Sequence, residues 1–307
     1  MKKKILVAVD GSIYSSNSLD YLIRLFRQDQ NFNADLLALV SNCCGDQSWM
    51  ADLDGQRPES TAVLQRKAKA KKYLRDAKDR LVRNGLPEEN IATFVHASNE
   101  GVTNAIYHFA QDKMYDSLLV GRRGVGRVGE MLLGSVSADL VRKCHDIPLW
   151  IIDGNVTSNR FLLAVHTSTH SLMAADHLAF ILRGNPKVEF YIYHSLAAFG
   201  TIPPAEEKEF HDRWGAKWCE QHLDMETCLY RAHSQILIDN GIPEKQIVQI
   251  PPRRGIHPSH DLLRQAKRSK CGTIAIGRRP QVDKGLLGGV SDRITKNAQN
   301  MAIWLIG

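Results

Sequence analysis

The sequence predicts an α/β protein made of two doubly wound domains in tandem. Three observations carry this. Short apolar runs alternate with longer helical patterns along the whole chain. The runs are rich in Val, Ile and Leu, as expected for strands of a parallel sheet covered on both faces. The pattern is also written twice. Lys4-Ile-Leu-Val-Ala-Val-Asp10 matches Arg160-Phe-Leu-Leu-Ala-Val-His166, Asn84-Gly-Leu-Pro-Glu-Glu-Asn-Ile91 matches Asn240-Gly-Ile-Pro-Glu-Lys-Gln-Ile247, and Ser117-Leu-Leu-Val-Gly-Arg-Arg123 matches Thr273-Ile-Ala-Ile-Gly-Arg-Arg279. Each pair is 156 residues apart; near the ends, Pro148–Ile152 matches Ala302–Ile306 at 154. That period is far longer than the roughly 20–50 residues of a solenoid repeat and fits duplication of a whole domain.

In the first half, strands are expected at Ile5–Val9, Asp35–Val40, Ile91–His96, Ser117–Val120 and Leu149–Ile152. Helices are expected near Ser15–Arg27, Thr61–Asn84, Gly101–Lys113 and Ser135–Cys144, with Gly85-Leu-Pro87 as a helix stop. In the second half, strands are expected at Phe161–Val165, Glu189–Tyr193, Ile247–Ile250, Thr273–Ile276 and Ile303–Ile306. The polar, turn-rich stretch Asp153-Gly-Asn-Val-Thr-Ser-Asn159 reads as the linker. The expected domains are residues 1–153 and 160–307.

Composition narrows the function classes. The 307 residues are 43% hydrophobic and 24% charged, which is globular, and no apolar run approaches the roughly 18 residues of a membrane span. The basic N-terminus turns apolar for only five residues before Asp10, too few for a signal peptide, so a first strand and a cytoplasmic location are expected. Six scattered cysteines, with Cys43 and Cys44 adjacent, do not form a disulfide framework and read as free thiols. The net charge of +7 permits attraction to polyanions without defining a footprint. Its densest run, Arg66–Lys72, lies in a helical pattern and reads as a solvated face, so nucleic acid is a disfavoured partner.

The segment most suggestive of chemistry runs from Gly121 to Ser135. It follows a strand and precedes a helix, and its glycines allow backbone N–H groups to approach an anion at a helix N-terminus. Arg122, Arg123 and Arg127 add donors. Gly124-Val-Gly126-Arg-Val-Gly129 satisfies G-x-G-x-x-G, but it follows the fourth strand instead of the first, and no acid ends the next strand at the right distance. A P-loop needs Lys before its Ser or Thr, and Gly134 precedes Ser135. Asp10 can serve a ligand or turn the chain into the next helix, and Ser135 and Ser137 can bind or cap.

The longer spacing Gly121-x2-Gly124-x9-Gly134-Ser135 resembles the nucleotide-binding signature of the universal stress protein family. The opening Val7-Ala-Val-Asp10-Gly-Ser12, the strand Asp116–Gly121 and the run Ser135-Val-Ser137 to Ile147-Pro148 are similar to that family too. The resemblance is close over the first half and looser over the second. It implies sheets in the order 3-2-1-4-5 with flanking helices, and an internal pseudo-dimer formed where the last strands of the two halves meet. It also implies ATP or another adenine nucleotide as ligand, with Mg²⁺ or Mn²⁺ compatible as a bridge between phosphates. On that resemblance Asp10, beside Ala8 and Val9, would meet ribose or the adenine edge, and Val40 would meet adenine through its backbone. Gly121, Gly124 and Gly134 would give room for the phosphates with Arg123 alongside, and Ser135, Val136 and Ser137 would supply hydroxyls and N–H groups. A stress sensor or signalling adaptor that works by binding is the resulting expectation, with an unidentified protein partner and a further homodimer compatible with it. A slow ATPase or autokinase, or an anion- or RNA-binding protein, are the alternatives.

The second half departs from the signature: His166 replaces Asp10, Pro280 replaces Gly124, Gly289 replaces Ser135, and the loop to Gly288 is two residues shorter, while Ser291 survives. A degenerate site is expected, with His194 filling the space of adenine. The pairs His166/His170 and His257/His260 lack partners at zinc-like spacing and read as ordinary histidines.

Overall fold

A computed structural model describes residues 2–27, 29, 31–41, 61–99, 101–123, 133–197, 206–223, 228–278 and 289–307. Ten strands form one sheet. The first five are β1 (Lys3–Ala8), β2 (Phe32–Ser41), β3 (Ile91–Ser98), β4 (Ser117–Gly121) and β5 (Leu149–Ile152). The others are β6 (Arg160–Ala164), β7 (Glu189–Ala197), β8 (Ile247–Gly255), β9 (Thr273–Gly277) and β10 (Ala302–Ile306). Their order is β3-β2-β1-β4-β5-β10-β9-β6-β7-β8, which is 3-2-1-4-5 followed by the same order reversed. Neighbours are parallel except β5 and β10, which pair antiparallel.

Helices cover both faces. α1 (Ile13–Phe26), α2 (Thr61–Arg83), α5 (Thr169–Leu182) and α8 (Cys228–Asp239) lie on one face with α6 (Glu207–Trp214) and α7 (Ala216–Leu223). On the other face lie α3 (Val102–Asp112), α4 (Ser135–Lys143), α9 (Pro258–Arg268) and α10 (Val290–Asn297). α2 shows how the pattern works: Val63, Ala70, Leu74, Ala77 and Leu81 form its buried stripe, and most of the Arg66–Lys72 run faces solvent. Its end explains the repeated Asn-Gly-apolar-Pro motif. Gly85 takes φ +96, its N–H donates to Val82 O and the Leu86 N–H donates to Leu81 O, closing the last turn while Leu86 is buried. Gly241 and Ile242 repeat this at the end of α8.

Strand bounds differ from the expected ones at the starts of β1 and β2. β1 starts at Lys3, a side chain that is 3% exposed because its ammonium pairs with Asp29 at 2.6 Å. β2 starts three residues early, at Phe32, whose ring stacks on Phe26 at 4.1 Å.

The two halves meet at β5 and β10. Trp150 and Trp304 are paired in register and stacked, with centroids 3.7 Å apart and planes 3° apart. They hold the same position in the repeat, so the pseudo-two-fold passes between them. Other contacts repeat across it with different chemistry. Tyr21 of α1 hydrogen-bonds Thr273 of β9 at 2.8 Å, and His177 of α5, 156 residues beyond Tyr21, bonds Ser117 of β4 at 3.1 Å. The Ser117 hydroxyl donates to Asp116 O, so His177 Nε2–H is the donor to Ser117. Both core clusters run unbroken through the seam.

Removing one of the stacked indoles, as in Trp304→Ala, is expected to cost about 3–5 kcal/mol of stability, read from urea unfolding. A second expectation concerns pH. Burial depresses His177 to about 3, against roughly 6.5 in an unfolded chain. Below about pH 6.5 the unfolded chain then takes a proton that the fold refuses, so stability falls as pH drops toward 3 and the effect is absent above 6.5. His177→Gln, which keeps a donor for Ser117, should flatten the fall of melting temperature between pH 7 and 4.

Candidate functional site

β1 leads to β2 on one side and neighbours β4 on the other, so the chain reverses direction of winding at β1. Crevices of open α/β sheets lie at such a point, beyond the carboxyl ends of the strands. A crevice of about 510 Å³ is found there, within the size range of small-ligand sites.

The turn after β1 builds its first wall. Asp10 Oδ1 accepts the Ser12 N–H at 3.0 Å, and Ser12 caps α1 by accepting the Ser15 N–H. Asp10 is therefore not the cap itself. Gly11 takes φ +76, and a Cβ there would come within 2.9 Å of the Tyr73 ring, so a side chain is barred on both counts. Burial, then the Asp10 charge, pushes the Tyr73 hydroxyl up from its ordinary pKa.

The second wall follows β4. Gly121 presses on the backbone of Tyr14, where a Cβ would lie 3.0 Å from its carbonyl carbon. Gly134 caps α4 with no side-chain bond, and it lines the crevice together with the first three residues of that helix, whose N–H groups have no partner within the helix. The loop is closed at its base: the Gly134 N–H and the Ser137 hydroxyl both donate to Arg122 O, at 2.9 and 2.7 Å. Ser135, by contrast, is exposed.

Ala8, Val9, Asp10, Gly121, Arg123, Gly134, Ser135, Val136 and Ser137 all line this crevice. Gly124 lies outside the described residues, as do Arg127, Pro280, Gly288 and the Cys43-Cys44 pair. The Val40 side chain is buried on the α1/α2 face, and its neighbours Leu37 and Leu39 line the crevice from the other. Sequence reasoning missed these two, together with Ser15, Lys69, Tyr73, Val102, Ile106 and Val120. Most are ordinary core-facing or helix-surface residues that only the packing of α2 and α3 brings to the strand ends.

Arg122 requires a correction. It was expected among the donors of the loop, yet it is 1% exposed and points into the seam. Its guanidinium donates to the carbonyls of Lys296 and Ala298 at the end of α10 and lies 3.3 Å from Asp153. Arg278, its counterpart in the repeat, reaches back to Val141 O at 2.6 Å near the end of α4. Each half thus uses the arginine after its fourth strand to hold a helix terminus of the other. Arg123 is also engaged: it donates to the Tyr14 hydroxyl at 3.3 Å, lies over that ring at 5.4 Å, and is 3.8 Å from Asp153.

The matching region of the second half is spanned by side chains. Tyr193 and Ser195 stand where Leu37 and Leu39 line the first crevice, and both hydroxyls donate to Asp261 Oδ2, at 2.6 and 2.8 Å. Burial works to raise the Asp261 pKa, but these bonds and the one from Arg264 outweigh it and hold it below its ordinary value. His194 Nδ1 sits 2.8 Å from Val165 O, the counterpart of Val9, and the Tyr230 hydroxyl ties the His194 N–H to Ile250 O. Among the described residues no cluster of three or more His, Cys, Asp or Glu could hold a metal ion.

Fold and crevice together define a doubly wound α/β protein with a crevice at its switch point, where the start of α4 meets the strand ends. The chain belongs to the universal stress protein family, whose model matches residues 1–152. It is 28% identical to the universal stress protein YxiE of Bacillus subtilis over 139 residues, which is 45% of this chain and 90% of that protein. A universal stress protein of Mycolicibacterium smegmatis is 26% identical over 191 residues, 61% of this chain and 60% of that one. The crystal structure of a universal stress protein from Archaeoglobus fulgidus DSM 4304 superposes with a TM-score of 0.64 at 18% identity. That match covers 98% of this chain and 97% of the other, and supports the fold. No helix among the described residues is long and apolar enough to cross a membrane.

Arg122→Leu takes from Asp153, which is 7% exposed, the nearer of its two arginines, leaves it Arg123 at 3.8 Å, and withdraws the donors to the Lys296 and Ala298 carbonyls; it is expected to cost about 3 kcal/mol in denaturant unfolding.

Proposed function

We propose that the first-half crevice binds an adenine nucleotide, ATP in the first instance, and that the chain acts in a stress response by binding, not turnover. The observation that carries this is the convergence of Asp10, Gly121, Arg123 and the uncapped start of α4 on one crevice of about 510 Å³. Apolar residues, Val9, Leu37, Leu39, Val102 and Ile106, line it and suit a base, Asp10 suits a ribose diol, and the α4 terminus suits phosphate. Among the described residues Asp10 is the one carboxylate lining the crevice, and its turn contact with Ser12 suits a binding role better than that of a general base. Mg²⁺ or Mn²⁺ would accordingly be held mainly by the phosphates and water, which such ions accept.

We further assign residues 1–153 and 160–307 as the two domains, the second a degenerate copy. The Tyr193–Asp261–Ser195 network and the His194 contact support one nucleotide per chain. The buried free thiols of Cys144, Cys219 and Cys271 suit a reducing cytoplasm.

The test is calorimetry with ATP on the wild type and on Gly134→Glu. A Cβ at Gly134 would lie 3.1 Å from Arg122 O and 3.3 Å from Arg123 Cα, so the substitution must displace the loop, and its carboxylate repels phosphate. Saturable binding by the wild type and at least a tenfold loss in the variant are expected. A wild type that binds no ATP at millimolar concentration defeats the reading.

A further inference from the structure

The basic run on α2 has a part in this site. Arg66, Lys69 and Tyr73 are spaced by three and four residues and so share one face of the helix. Arg66 donates to Ser41 O at 3.0 Å, at the end of β2. Tyr73 lies against Gly11, at the end of β1. With the residues on either side of it tied to two strand ends, Lys69 is held over the crevice between them, and it lines that crevice.

Charge accounting gives this placement its meaning. Among the described residues three charged side chains line the crevice: Asp10, Lys69 and Arg123. Arg123 is partly neutralised by Asp153 and stacked on Tyr14, and Arg122 is turned into the seam. Lys69 is exposed and pairs with no described residue. A di- or triphosphate brings several negative charges next to Asp10, which one engaged arginine and a helix terminus offset only in part.

Resting on the nucleotide reading, we infer that Lys69 is a ligand contact for the phosphate chain and that the site is built for a nucleoside polyphosphate in preference to an uncharged nucleoside. The phosphates are gripped from two sides: by the start of α4 beyond β4, and by Lys69 reaching in from the β2 side. A point charge on a flexible stem suits this role, because it can follow a chain of two or three phosphates.

The experiment measures affinities of the full chain for ATP, AMP and adenosine in wild type, Lys69→Gln, Lys69→Arg and, as a charge control on another face of the same helix, Lys71→Gln. Expected are a roughly tenfold weaker ATP affinity for Lys69→Gln, a smaller loss for AMP and none for adenosine. Lys69→Arg should restore most of the ATP affinity, and Lys71→Gln should match wild type. The inference is overturned if Lys69→Gln and Lys71→Gln behave alike, or if adenosine weakens as much as ATP. If the wild type binds none of the three, the nucleotide reading itself fails, and the inference with it.

Discussion

The antiparallel pairing of β5 with β10 is the contact on which the rest of the molecule depends. Ten strands in one sheet require that two five-strand sets, each with an exposed fifth strand, find one another's edges. Unpaired edges are an aggregation liability, and here each half covers the other's. The stacked indoles of Trp150 and Trp304 make the join a core in its own right, with His177 and Tyr21 crossing it to bond strands of the opposite half. Because the register pairs equivalent residues, one geometry serves both halves. The arginines after β4 and β9 add a polar clasp by holding carbonyls near the ends of α10 and α4.

That clasp links the seam to the crevice. The Arg122 carbonyl closes the base of the α4 turn through Gly134 and Ser137, while its side chain serves the second half. One residue therefore braces the turn beside the crevice with its backbone and the interface with its charge. The two sets of strand ends also show how a duplicated scaffold diverges while keeping its strand order. Leu37 and Leu39 leave a slot, whereas Tyr193 and Ser195 close theirs onto a buried Asp261. The strand order is common to both, and the difference lies in a few inward side chains and in a register shift between Tyr193 and Ser195 where β7 pairs with β8.

Much of this was legible in the chain itself. The 156-residue offset, the apolar runs and the Asn-Gly-apolar-Pro helix stops are local signals, set by backbone preferences and by which faces must be buried. The order of motifs around Gly121 and Asp10 placed both at strand ends; of the described residues that line the first crevice, nine were nominated through the family resemblance and eight were not. Lys3, read as part of a basic N-terminus, turned out buried because Asp29 comes to it across the start of β2.

The sequence by itself therefore determined the elements, the repeat, the strand-end turns and the asymmetry between Asp10 and His166, since each depends on neighbours a few residues away or on like positions in the two halves. Only the tertiary structure decided where long side chains go. Arg122 and Arg123 are adjacent and chemically alike, yet one enters the seam and the other the crevice, because they lie in the bend after β4 and only Arg122 meets the end of α10 there. Lys69 was one charge in a run of basic residues until the packing of α2 across β1 and β2 set it over the crevice. Such roles depend on residues distant in the chain, and no local pattern encodes them.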